Sequence, residues 1–150
     1  MKNQKGFSLV ELLVVVIIIA IIAAIAIPNL LASRRAANEA SAISSMRTIH
    51  SAEATYQATA GGGVNYASLV NLNSAGLIDS ALGAATSQKS GYDFTVTLGT
   101  QIYCATGAPT TPGTTGINYF GVETEGVIWK HSAAMTCATG DLTPLGAPIQ

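Results

Sequence analysis

From Phe7 to Ile27 the chain runs 21 residues with two polar interruptions, Ser8 and Glu11, and from Leu12 to Ile27 all 16 residues are apolar. Wound as an α-helix at 1.5 Å per residue, the longer run measures about 31 Å, close to the hydrocarbon thickness of a bilayer. A surface of that kind needs a solvent other than water, so this stretch constrains everything else. It also explains the composition. Only 10% of the 150 residues are charged, against roughly 25% in ordinary soluble domains, and the excess apolarity is concentrated here. The remaining ~120 residues read as one ordinary globular unit.

Three readings fit the N-terminus. A cleaved secretory signal would use the basic start, Lys2 and Lys5, and the small-x-small pattern Ala24-Ile25-Ala26. Against it, the apolar core exceeds the usual 7–15 residues and carries Glu11 near its start. A plain membrane anchor has the right length. Its orientation is not set by charge, because Lys2 and Lys5 precede the span while Arg34 and Arg35 follow it. The cysteine pair Cys104 and Cys137 points the C-terminal part outward, since an even, low count outside a membrane segment fits one disulfide in an oxidising compartment. Two free buried thiols are the alternative.

The third reading accounts for Glu11. A short leader, MKNQKG, is followed by Phe7, Ser8 and Leu9, then Glu11, then an apolar run closed by Pro28. This arrangement resembles the N-terminus of type IV pilins and their pseudopilin relatives, clearly over about residues 1–60. The resemblance implies that a prepilin peptidase cuts between Gly6 and Phe7 and that the new Phe7 amine is methylated. Glu11 then becomes the fifth residue of the mature chain and Pro28 the twenty-second, their places in the family. It further implies an inner-membrane precursor handled by the pilus assembly machinery, and then a homopolymeric filament on the cell surface, a fimbrium serving adhesion, motility or DNA uptake.

Elementary electrostatics agrees. A new α-amino group with an unperturbed pKa near 8 is mostly cationic at neutral pH. In apolar surroundings it needs a partner, as does an ionised Glu11. Pairing Glu11 with the Phe7 amine of a neighbouring subunit would satisfy both and set the register of assembly. A tolerated charge near the membrane interface is the plainer reading of Glu11. One departure from the family stands out: Ala20 occupies a position where relatives often carry glycine. Alanine is about 1 kcal/mol better in a helix, so local melting is harder here, although Pro28 removes a backbone donor and disfavours helix at Ile27.

Beyond Pro28, residues 29–60 hold neither Gly nor Pro and predict a continuing helix that stops at Gly61-Gly62-Gly63. Residues 7–60 would then form one helix of roughly 80 Å, more than a 90-residue remainder can cover. Ala42, Ile43, Met46, Ile49 and Tyr56 share one helical arc that would pack under a sheet. His50 and Glu53 lie in the same arc; two candidate metal ligands without a third favour a packed pair. The small residues Ala32, Ser33, Ala36, Ala37 and Ala40 would permit close helix approach, or simply favour helix. YASLVNL and AGLIDSAL read as short helical turns.

Tyr92 to Leu98 alternates apolar and polar, a half-buried strand. Gly99-Thr100 suits a two-residue turn of the II′ type, returning through Gln101 to Thr106. Ile117 to Thr124 and Val127 to Ser132 predict a second hairpin about Glu125-Gly126, with Trp129 packing on it, and residues 133–150 show no periodicity. The expected fold is α+β. A long N-terminal helix packs on a small antiparallel sheet of about four strands, with a pilin-like head and a tail tied by Cys104–Cys137, a pairing the resemblance also supports. The expected organisation is a leader over 1–6, a helix over 7–60 with a membrane or filament-core part over 7–27, and a head over 61–150.

Catalytic signatures are absent. There is no HExxH, GxSxG or CxxCH, and the three glycines lack the Lys-Ser/Thr of a P-loop. No enzyme activity, cofactor or metal is expected. Within the long helix only Phe7 and Tyr56 are aromatic, so no conducting aromatic stack is suggested. Removing residues 1–6 leaves 5 basic against 8 acidic side chains, net −3, which gives no bulk argument for nucleic-acid binding and leaves only a local patch to be considered. Other readings remain at this point. One is a pseudopilin of a type II secretion system, although GGGVNYASL stands where a YPT-type segment would be expected and Asp79, Asp93 and Asp141 are scattered. The others are a minor pilin and an anchored or secreted domain that never polymerises.

Overall fold

The computed structural model describes residues 6–84, 86–144 and 146–149; most of the expected leader, including Lys2 and Lys5, lies outside the described residues. The first element is α1, Leu9–Ala58, 50 residues with no glycine. Pro28 sits inside it, and the helix runs on through Ile27 and Pro28 as one element. The Asn29 side chain donates to the Ile25 carbonyl at 3.1 Å. The helix ends at Ala58, two residues short of the expected 60. The Gly61 N–H reaches back to the Tyr56 carbonyl at 2.7 Å, and the Gly63 N–H to that of Gln57 at 2.8 Å. Gly62 and Gly63 hold positive φ of 65° and 79°, the left-handed backbone that ends helices and that glycine adopts without strain.

The chain divides into two compact units after Arg34. In the first, the helix shows its apolar side chains to the surroundings: Leu9 is 79% exposed, Ile19 59% and Leu30 69%. By length and composition it can cross a membrane. In the second, α1 buries Ala42, Ser45, Met46, Ile49, Ala52 and Glu53, the spacing of one helical face. Ile43 and Tyr56 pack at the margin of the same core.

A short α2, Leu69–Ser74, follows, with Ser68 as N-cap accepting from the Asn71 N–H; it inserts Leu69 and Leu72 into the core. The expected AGLIDSAL turn is a loop held by Asp79, whose carboxylate accepts from the Leu82 N–H at 2.9 Å. Eight strands follow among the described residues: β1 Gln88–Lys89, β2 Tyr92–Leu98, β3 Tyr103–Pro109, β4 Tyr119–Glu123, β5 Ile128–His131, β6 Thr136–Ala138, β7 Asp141–Thr143 and β8 Ala147–Ile149. One antiparallel sheet runs β1-β2-β3-β4-β5-β8, and β6 pairs with β7 in a separate hairpin.

Burial along the strands shows what lies on each face. In β2, Tyr92 and Phe94 are buried and alternate with partly exposed Asp93 and exposed Thr95. In β3 and β4 both sets are covered. Ala105, Phe120 and Val122 join the core with Met46 and Ile49 of α1, and a Cβ on Gly107 would press on the Met46 methyl. On the other face Cys104 is bonded to Cys137 of β6, with 6.0 Å between their Cα atoms. There too Leu142 of β7, 2% exposed, seats on Gly121. A side chain at Gly121 would collide with Leu142, so glycine is what allows the hairpin to lie close. Within the second unit the layers are therefore helix, sheet and hairpin.

Three expectations need correction. The sheet has six strands rather than about four, with two more in the hairpin. The additional ones, β1, β6, β7 and β8, are two or three residues long, too short for a period of two to register. The β2–β3 connection is a four-residue loop, Gly99–Ile102, closed by the pair Leu98↔Tyr103, not a two-residue turn at Gly99-Thr100. The positive φ falls on Gln101, at 64°, while Gly99 is small because a Cβ there would strike the Thr139 carbonyl oxygen. The return strand accordingly starts at Tyr103 and extends to Pro109. The second hairpin turns about Glu125-Gly126, where Gly126 has φ 80° and donates to the Glu123 carbonyl at 2.8 Å.

Candidate assembly site

Phe7 precedes the first turn of α1 and is 73% exposed. Glu11 lies in that first turn, exposed, where a carboxylate complements the positive end of the helix dipole. From Leu12 to Leu31 the large apolar residues remain between 46% and 69% exposed. That is a continuous apolar cylinder with one acidic side chain at its start. Pro28 lies within it. The small residues 32, 33, 36, 37 and 40 follow at or near the surface, with Ala32, Ser33, Ala36, Ala37 and Ala40 all exposed.

In the second unit, three side chains of α1, Arg35, Asn38 and Glu39, hold the loop that leads into β4. Glu39 accepts from the Ile117 N–H at 2.9 Å, the Asn118 N–H at 3.2 Å and the Asn118 side-chain amide at 2.8 Å. Asn38 donates to the Thr115 carbonyl at 2.8 Å, and Arg35 to that of Gly113 at 3.1 Å. From the sheet side, the Tyr92 hydroxyl donates to the Asn118 carbonyl at 2.8 Å. Burial works to raise the Glu39 pKa. The hydrogen bonds from Ile117 and Asn118, with the charge of Lys130, outweigh it and hold the carboxyl below its ordinary value. Sequence reading missed this clamp, because nothing near Glu39 signals partners 78 and 79 positions away.

His50 and Glu53 both pack against the sheet and the segment that follows α1, each with its own partner. His50 Nδ1 shares a hydrogen bond with the Tyr103 hydroxyl at 2.6 Å. Glu53 is fully buried and accepts from the Ala67 N–H at 2.9 Å. Trp129 is half-buried in β5, its indole N–H without a partner among the described residues.

A long N-terminal helix, an antiparallel sheet and a disulfide between Cys104 and Cys137 together make the pilin fold. The family model described as the prokaryotic N-terminal methylation motif matches residues 1–27. The chain is also 54% identical over 39 residues to the type IV wide pilus major component PilA4 of Thermus thermophilus, a stretch covering 26% of this chain and 30% of that protein. No solved structure matches the chain. The N-terminal segment of the chain thus carries the prepilin methylation motif and, over 39 residues, is similar to a type IV pilin.

Proposed function

We propose that the chain is a structural subunit of a type IV pilus filament. In the precursor, the apolar part of α1 anchors it in the inner membrane. Prepilin peptidase cuts between Gly6 and Phe7 and the Phe7 amine is methylated. The assembly machinery then moves the helix from lipid into a bundle of identical helices, and the mature subunit becomes part of a surface filament used for adhesion, motility or DNA uptake. One observation carries the reading: a helix start bearing the methylation motif leads an apolar cylinder that its own chain leaves exposed. Contact with copies of itself buries that surface at about 25 cal/mol per Å².

Glu11 is the feature a plain anchor does not require. Opposite the Phe7 amine of the next subunit it neutralises a buried cation and fixes register, the role in which buried polar groups are best attested. Pro28 limits how the helix adapts in the bundle. Mass spectrometry of sheared surface filaments tests processing: a chain starting at methylated Phe7 supports the proposal, and cleavage after Ala26 or none refutes it. Glu11→Ala is expected to insert into the membrane in normal amount and to yield less than a tenth of the filaments seen by electron microscopy. Normal filament yield from that variant would remove the register argument.

A further inference from the structure

The head contains a buried carboxylic acid that the assembly segment does not use. Glu53 is fully buried on the core face of α1. One of its oxygens accepts from the Ala67 N–H at 2.9 Å; the other, Oε1, has no partner among the described residues. That bond ties the middle of α1 to the far end of the segment 61–68, which runs into α2, while the Gly61 and Gly63 N–H groups bond only the helix end at Tyr56 and Gln57. Around it the packing is aromatic. The ring of Tyr66 lies 4.8 Å from that of Tyr103, centroid to centroid, and the Tyr103 hydroxyl is engaged with His50. His50 in turn lies under Gly126 of the β4–β5 turn, where a Cβ would collide with its ring.

The surrounding elements offer Glu53 no cation. Residues 59–68, α2 and β3 contain no Asp, Glu, Lys, Arg or His. Of the titratable groups nearby, Tyr103 feels the charge of Glu53, Tyr66 packs on Tyr103, and His50, one turn earlier on the same helix, bonds the Tyr103 hydroxyl. The β4–β5 turn adds the acidic Glu125 beside Gly126. An ionised Glu53 would therefore hold a full negative charge in a buried site on one backbone hydrogen bond, a costly arrangement. A neutral acid with the same bond fits.

We propose that the Glu53 carboxyl is a proton-operated latch fastening the 61–68 segment, and α2 behind it, to the C-terminal half of α1. Protonated, the acid keeps its bond to Ala67 and leaves no charge in the core. Ionisation favours an opened arrangement in which water reaches the carboxylate and the 61–68 segment loses its hold. The direction of the pKa shift agrees. Burial raises the Glu53 pKa from the ordinary 4.5 to about 7, and the Ala67 bond only partly opposes it. Burial also raises the Tyr103 pKa, helped by the charge of Glu53 and by Tyr66, so Tyr103 stays neutral throughout. The latch belongs to the head alone and stands whether or not the chain polymerises.

The test is hydrogen exchange of the full chain in detergent micelles from pH 4 to 8.5, corrected for intrinsic base catalysis. With a closed pKa of about 7 and an open one near 4.5, local opening of peptides covering residues 61–75 should rise about tenfold per pH unit between those values and flatten above. Peptides from β3 and β4 should not follow. Glu53→Gln, which keeps an acceptor for Ala67 and carries no charge, should abolish the pH dependence. A flat wild-type profile, or the same rise in Glu53→Gln, overturns the latch. The carboxyl carbon of Glu53 in chain labelled with ¹³C-glutamate answers without any substitution: a midpoint near 7 supports the proposal, and one near 4.5 overturns it.

Discussion

Glu39→Ala removes the acceptor for three donors at once: two backbone N–H groups, of Ile117 and Asn118, and the Asn118 amide. Hydrogen bonds to a charged group contribute about 1.5–3 kcal/mol each when isolated. The site is only part-buried and water can replace some of them, so the loss should be about 2–4 kcal/mol in total, or roughly 1 kcal/mol per bond, below the value for an isolated bond. Glu39→Gln keeps one carbonyl oxygen but turns an amide donor toward Asn118, and should cost about half as much. At roughly 4 °C per kcal/mol for a head of this size, the alanine variant should unfold about 8–15 °C below wild type. The assay is thermal unfolding of the full chain in detergent micelles, followed by near-ultraviolet circular dichroism. The pH profile is a second check. Because the folded pKa lies below the ordinary 4.5, the contribution of Glu39 is fully present above about pH 4.5 and is lost as pH falls through the folded value. The gap between wild type and Glu39→Ala should therefore narrow in acid. A gap under about 2 °C at pH 7, or one that widens in acid, refutes the clamp.

Three further outcomes follow from the packing. Met46→Ala deletes a fully buried side chain between α1 and Gly107 and should destabilise the head by about 2–5 kcal/mol, read by denaturant titration. Gly121→Ala drives a methyl into Leu142 and should cost about 1–3 kcal/mol. Faster proteolysis within residues 136–143 would report the lifted hairpin, while no change in cleavage would show that it rests elsewhere. Reduction of Cys104–Cys137, separated by 33 residues, should lower stability by about 3–4 kcal/mol on chain-entropy grounds; an unchanged thermal midpoint after reduction would deny the bond a structural role.

Features carried by neighbouring residues were legible in the sequence. The apolar run to Ile27, the buried arc Ala42–Met46–Ile49, the glycine stop at 61–63, the alternation of β2 and the turn at Gly126 each rest on local periodicity or on one backbone conformation, and a window of a few residues contains the whole signal. The same holds for the methylation motif, which lies in the first 27 residues. Tertiary structure decided the rest. The Glu39 clamp joins residues 78 and 79 positions apart. Gly121 reads as a weak strand residue until Leu142 is laid across it, and Gly99 as a turn glycine until Thr139 arrives. Strands β6, β7 and β8 are too short to declare themselves and exist because a neighbouring edge or a disulfide receives them. Glu53 looks like any helical glutamate, and becomes unusual only once the fold buries it beside Ala67 and Tyr103. Periodicity records which face of an element meets an apolar layer; it carries no record of which distant backbone group completes a hydrogen bond, because that pairing depends on chain closure.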